Sequence, residues 1–143
     1  MKYNIFFIGL ALLSFVLSSC EDGEDFPLTK LEGTYTGTFQ RTIGTEVGEI
    51  ANVTITFENN LWEGQSEKYR YPAICKGTYQ IKGQIINFEN QCMFTADFDW
   101  TLILDGDFEI KQTTDTFTMT KVYPNEAAQI KDVYTLHLVD IEN

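Results

Sequence analysis

The chain has 143 residues, with ten Lys and Arg against 21 Asp and Glu, for a formal net charge of −11. That length suffices for one domain with a real hydrophobic core. The acid excess, with no basic patch or stripe, excludes nucleic acid and anionic lipid headgroups as partners.

The N-terminus has the anatomy of a secretory signal: Lys2, a nearly unbroken apolar run from Ile5 to Val16, then small residues ahead of Cys20. The run is shorter than the roughly 20 residues a spanning helix needs. Ser18, Ser19 and the acidic stretch Glu21-Asp22-Gly23-Glu24-Asp25 end it abruptly. Leu17-Ser18-Ser19-Cys20 resembles the bacterial lipobox. The resemblance implies a signal peptide over residues 1–19, lipid on Cys20, and a lipidated acidic tether over residues 20–28. The membrane is then a partner through the anchor, since each buried methylene of an acyl chain contributes about 0.8 kcal/mol. The acids after Cys20 also resemble the surface-export signals of Bacteroidetes lipoproteins. In enterobacteria such acids favour inner-membrane retention instead, so the leaflet stays open. The expected localisation is an outer-membrane lipoprotein, periplasmic or surface-exposed. Ten basic residues less Lys2 leave nine, so the processed chain carries a formal charge of −12.

Residues 29–143 are expected to form a single all-β domain. Leu31 to Phe39 reads as a strand with Tyr35, Gly37 and Phe39 on one face and threonines on the other. After a turn near Ile43-Gly44-Thr45, Ala51, Val53, Ile55 and Phe57 alternate with polar residues, the period of a half-buried strand. Asn59-Asn60 marks a turn and Leu61-Trp62-Glu63 a short strand. Gly64 to Pro72 is polar and fits either a strand edge or a loop over one barrel mouth.

With Cys20 assigned to lipid, Cys75 and Cys92 remain as a pair in an oxidising compartment. Glycine at the first central position of a Gly83-Gln84 turn suits type II′. Lys82 then faces Ile85, Ile81 faces Ile86, Tyr79 faces Phe88 and Cys75 faces Cys92. That register predicts a non-hydrogen-bonded cysteine pair with α-carbons about 4.5 Å apart. It also puts Tyr79, Ile81, Ile86 and Phe88 on the cysteine face and Lys76, Thr78, Gln80, Asn87, Glu89 and Gln91 on the other. Metal ligation by the two thiols lacks neighbouring histidines, and no metal is expected.

Phe98 to Leu104 reads as a further strand, turning at Asp105-Gly106-Asp107 into Phe108-Glu109-Ile110-Lys111. A three-residue turn aligns Trp100, Leu102, Leu104, Phe108 and Ile110 on one face. Phe117 to Lys121 is a strand, Pro124 to Lys131 has helical composition, and Val133 to Ile141 is the last strand. Tyr134, Leu136 and Leu138 face one way and His137 the other.

About eight strands in simple succession, with one apolar face throughout, predict an antiparallel up-and-down β-barrel that removes its own edges. A β-sandwich is the alternative. Leu31-Glu32-Gly33-Thr34-Tyr35, the run of short strands and the lipobox together resemble the lipocalin-like (calycin-type) barrel lipoproteins common in Bacteroidetes. Tyr35 stands where that family's Gly-x-Trp places its tryptophan. The resemblance implies the barrel and supplies no catalytic residues.

Enzymatic motifs are absent: there is one histidine, no Gly-x-Ser-x-Gly, no phosphate loop and no His-Glu-x-x-His. Asp97 and Asp99 share a face of their expected strand, and Asp105-Gly106-Asp107 reads as a hairpin turn without the ligands of a calcium loop. No catalysis and no cofactor are expected. The notable feature is the inward aromatic face. Tyr35, Phe57, Tyr79, Phe88, Trp100, Phe108 and Tyr134 are the candidate walls of a cavity for a small hydrophobic molecule. Alternatively these rings fill the barrel, and the protein works through its outer surface on an envelope protein partner.

Overall fold

The computed structural model describes residues 30–124 and 129–139. The expected signal peptide, Cys20 and the acidic tether lie outside the described residues, as do residues 125–128 of the helical-looking stretch and 140–143 beyond the last strand. Eight antiparallel strands succeed one another around a closed barrel, each paired with its chain neighbours. They are β1 (Gly33–Ile43), β2 (Glu46–Glu58), β3 (Leu61–Ser66), β4 (Lys76–Lys82), β5 (Ile85–Asn90), β6 (Gly106–Gln112), β7 (Phe117–Lys121) and β8 (Ile130–Leu138). The barrel closes where β1 meets β8, from Tyr35 opposite Leu138 to Ile43 opposite Ile130.

Alternation drives the inside-outside sorting. Ala51, Val53, Ile55 and Phe57 of β2 are all buried, as are Phe108 and Ile110 of β6, Phe117 and Met119 of β7, and Tyr134 and Leu136 of β8. The β4–β5 hairpin has the expected register, with Lys82 opposite Ile85, Ile81 opposite Ile86 and Tyr79 opposite Phe88. Gly83, at φ +61°, supplies the left-handed backbone of its turn. Asn59 and Asn60, at φ 49° and 65°, do the same between β2 and β3.

Four expectations are corrected. Phe98 to Leu104 is not a strand; it belongs to a loop of residues 91–105 that carries one 3-10 turn, Trp100–Leu102. The Asp99 side chain caps that turn by accepting from the Thr101 N–H, so a local cap defeats the apparent alternation. β6 therefore pairs with β5 rather than with a preceding hairpin strand. Cys75 and Cys92 are disulfide-bonded, but just beyond the ladder, which ends at Gly77 opposite Asn90. Their α-carbons are 6.3 Å apart, wider than a ladder pair. Ile130 and Lys131 begin β8 instead of ending a helix. Leu138, though in phase with the inward residues, is half exposed because the strand runs past the core.

The two ends of the barrel differ. At the turn end lie the tight β2–β3 and β4–β5 turns, the β6–β7 connection and the entry of the chain at Lys30 to Glu32. At the loop end lie the β1–β2 hairpin tip, the β3–β4 loop (67–75), the β5–β6 loop (91–105) and the β7–β8 connection. The disulfide joins the close of one long loop to the start of the other. A parallel bridge between Ala73 and Ile103 joins them again.

Candidate functional site

The interior is a column of rings. From the turn end, Tyr35 meets Phe57 edge-on with centroids 5.5 Å apart, and Phe57 meets Tyr79 at 5.2 Å and Phe88 at 6.3 Å. Phe88 also takes Trp62 at 5.5 Å and Phe108 at 5.4 Å. Phe108 meets Tyr134 at 5.8 Å, Tyr134 meets Phe39 at 4.9 Å, and Phe39 meets Tyr71 at 5.3 Å near the loop end. These separations are those of aromatic pairs in contact, most of them edge-to-face. Tyr35, Phe57, Tyr79, Phe88, Phe108 and Tyr134 thus come together, packed on one another along the barrel axis. Trp100 does not join them: it lies on the 91–105 loop, 56% exposed.

Leu31 closes the turn end. It is fully buried, and its main chain is held by one side chain: its N–H donates to the Tyr79 hydroxyl at 3.0 Å, and that hydroxyl donates to its carbonyl at 2.7 Å. The Tyr79 hydroxyl therefore ties the entering chain to the barrel and points at main chain rather than into free space. Burial raises the pKa of Tyr35, Tyr79 and Tyr134 above the ordinary phenol value.

The loop end is closed by charge. Arg41 continues the inward phase of Tyr35, Gly37 and Phe39, and Asp132 precedes Tyr134 by two in the same phase. The two stand opposite each other across the β1–β8 seam and are the buried charged residues among those described. Arg41 donates through Nε to Asp132 Oδ1 at 2.7 Å and through Nη2 to Oδ2 at 2.6 Å. Nη2 also reaches the Tyr123 hydroxyl at 3.1 Å, which donates to Asp132 Oδ2 at 2.6 Å. Nη1 donates to Asp99 Oδ2 at 2.6 Å, from the 91–105 loop. Burial and the Asp132 contact raise the Tyr123 pKa. Beside this cluster, Lys121 donates to the carbonyls of Thr101 and Ile103, each at 2.9 Å, and burial lowers its pKa. The missed signal was simple: extending the period of two by one step puts a charge on each closing strand's inward face.

Outside the barrel, Arg70 lies over the rings of Tyr69 (4.7 Å) and Phe98 (4.9 Å) and donates to Asp97 at 2.7 Å. The Thr95 hydroxyl and Arg70 hold the Asp97 carboxyl down to about 2. Asp99 is also lowered: burial opposes its charge, but the Thr101 hydrogen bonds and Arg41 outweigh it. Both acids are engaged as charged acceptors and lie in the loop, not on a shared strand face. His137 is exposed on the outer face, its Nδ1 2.7 Å from the Asp115 carbonyl oxygen. Asp105 accepts from the Asn90 N–H and Asp107 from the Asn87 amide, so both carboxylates serve the β5–β6 pairing. Exposed Tyr69, Met93, Trp100 and Val122 all stand on the connections of the loop end. A cleft of about 350 Å³ opens there between the β1–β2 tip and Tyr71, lined by Arg41, Ile43, Val47 and Tyr71 with Glu46 and Glu49. No protein-family model, curated protein or solved structure matches this chain.

Proposed function

We propose that this chain is an envelope lipoprotein, lipidated on Cys20, whose barrel is a solid support that presents its loop end to an envelope protein partner. Of the two readings the sequence leaves open, this one is supported by a single observation. Ring-to-ring contacts run the length of the axis from Tyr35 to Tyr71, so a lumenal ligand would have to displace the core. The eight-stranded up-and-down closure is compatible with a lipocalin-like barrel, and a calycin-type relationship is part of the proposal.

The orientation follows from where the chain enters. Leu31 is fixed at the turn end. A tether from Cys20 to Leu31 spans at most about 40 Å when extended. An anchored barrel would therefore keep its turn end toward the membrane and carry Tyr69, Met93 and Trp100 on the far side. Among the described residues, seven of the ten large exposed apolar side chains stand toward the loop end, against Leu61, Leu138 and Val139 at the turn end. Such a concentration is characteristic of a contact surface.

The test is photo-crosslinking in intact cells, with a photoreactive residue at Met93 or Trp100 and, for comparison, at Gln84 in the turn end. Discrete protein adducts from the loop-end positions only are the expected result. Adducts from Gln84 alone, or none from either end, would reject the proposed contact face. Native mass spectrometry of the same protein should show no extractable neutral hydrophobic molecule of the kind a lumen would hold.

A further inference from the structure

The loop-end charges are arranged asymmetrically. Asp132 alone engages Arg41 through two nitrogens, and Tyr123 completes that buried set. Asp99 is a second carboxylate on the same guanidinium. It is half exposed, at 51% against 2% for Asp132, so water can replace its contact at small cost. Lys121 has the opposite deficit. Its ammonium is held by two main-chain carbonyls, and no carboxylate lies within ion-pair distance among the described residues. A desolvated ammonium gains most from a charged acceptor.

All three of these acceptors, Asp99 Oδ2, the Thr101 carbonyl and the Ile103 carbonyl, come from one five-residue stretch of the 91–105 loop, and the first two are replaceable. The loop is fixed at its ends, by Cys92 in the disulfide and by Ile103 bridged to Ala73. Between them Arg70 holds Asp97 and Thr95; Trp100 and Thr101 are exposed, while Leu102 packs on the core and accepts from the Ala73 N–H at 3.0 Å. Lifting Trp100 and Thr101 would bare Arg41 Nη1 and free the Lys121 donor that the Thr101 carbonyl holds, while the Ile103 carbonyl keeps its own contact. Both cations then stand beside one buried carboxylate, for a local charge of +1 in a strongly acidic protein. Arg41 is also a wall of the 350 Å³ cleft, whose Ile43, Val47 and Tyr71 offer apolar and aromatic surface. That volume is at the small end for ligand sites. Glu46 and Glu49 on the lining disfavour a second negative charge.

We propose that Arg41 and Lys121 form a seat for a small organic monocarboxylate with an apolar body, and that Asp99 occupies this seat as an internal stand-in on a loop that lifts to admit the ligand. The carboxylate replaces Asp99 on Arg41 Nη1 and supplies Lys121 with a charged acceptor that the described residues do not give it. The body lies against Ile43, Val47 and Tyr71. This site is at the barrel mouth and needs no space along the aromatic axis.

The test uses the intact lipidated protein in detergent, with 3-phenylpropionate as probe and the neutral 3-phenylpropanamide and inorganic phosphate as controls. Asp99→Asn removes the competing charge while keeping an acceptor for the Thr101 N–H. It should bind the acid about tenfold more tightly than the parent protein, equivalent to about 1.4 kcal/mol. Adding Lys121→Gln should abolish that gain, and neither control should bind comparably. Should Asp99→Asn perturb the fold, the parent protein decides: the acid must move the amide resonance of Thr101, which Asp99 holds. An unmoved Thr101 amide at saturating probe would overturn the proposal. So would an amide or phosphate that binds as well as the acid, or an Asp99→Asn protein that gains nothing.

Discussion

The buried pair across the closing seam makes a sharp energetic prediction. Asp132→Asn keeps the shape of the side chain and removes its charge, leaving Arg41, itself 5% exposed, with a half-exposed Asp99 as its remaining carboxylate. Breaking one member of a buried ion pair costs about 3–5 kcal/mol because the survivor stays desolvated. Asp99 and Tyr123 still serve Arg41, which places Asp132→Asn near the lower figure, about 3 kcal/mol. Arg41→Met should cost more. It strands Asp132 at 2% exposure with, among the described residues, only the Tyr123 hydroxyl donating to it. Arg41→Met/Asp132→Leu removes both charges and should recover most of the loss, since an apolar pair can match or exceed a buried salt bridge. For a domain of this size, about 3 kcal/mol lowers the melting temperature by about 12 °C. Thermal and urea unfolding of the parent, Arg41→Met, Asp132→Leu and the double variant would give the cycle, with unchanged m-values required for the comparison. A double variant destabilised by the sum of the two single losses would refute the reasoning, because the residues would then act independently.

Three further outcomes follow from the same geometry. Reducing Cys75–Cys92, which are 17 positions apart, should remove about 3 kcal/mol by the loop-entropy relation, seen as a fall of about 12 °C in melting temperature. Gly37→Ala places a Cβ 1.9 Å from the Thr135 carbonyl oxygen across the seam, and since only main chain could give way it should cost at least about 3 kcal/mol in urea unfolding. Asp97 should titrate near 2 by carboxyl NMR, and Arg70→Gln should raise its midpoint toward the ordinary 3.8. Its folded pKa is lowered, so any stabilisation from Asp97 is fully present above the ordinary value and fades as the pH falls toward 2.

How much of this was legible depended on whether local and long-range forces agreed. In the β4–β5 hairpin they did: Gly83 fits the turn, Ile81, Ile86, Tyr79 and Phe88 fit one face, and a one-residue slip would turn all four to water. Phe98 to Leu104 has the same alternation, yet Asp99 has a nearer acceptor role in capping Thr101 and a farther one on Arg41, and both favour a loop. Ile103 and Leu104 are still buried, so their hydrophobicity was read correctly and their conformation was not. Trp100 was misplaced for the same reason. The Arg41–Asp132 pair was missed because strand faces were read by their apolar members. Two charges 91 positions apart become neighbours only when the first and last strands close the barrel.

The different seals at the two ends follow from the lengths of their connections. Tight turns satisfy their own main-chain groups, so at the turn end Leu31 can cover the core with an apolar side chain, needing only the Tyr79 hydroxyl for its own N–H and carbonyl. A fifteen-residue loop folded over the other end brings carbonyls, such as those of Thr101 and Ile103, toward a low-dielectric interior where no strand is left to pair with them. Donors must then come from the barrel wall, and Lys121 of β7 supplies them. A cation in such a place needs acids nearby; Asp132 and Asp99 meet that need for Arg41. Charge at the mouth is thus what long loops demand of a solid barrel. It also explains why the replaceable contacts lie at the end opposite Leu31.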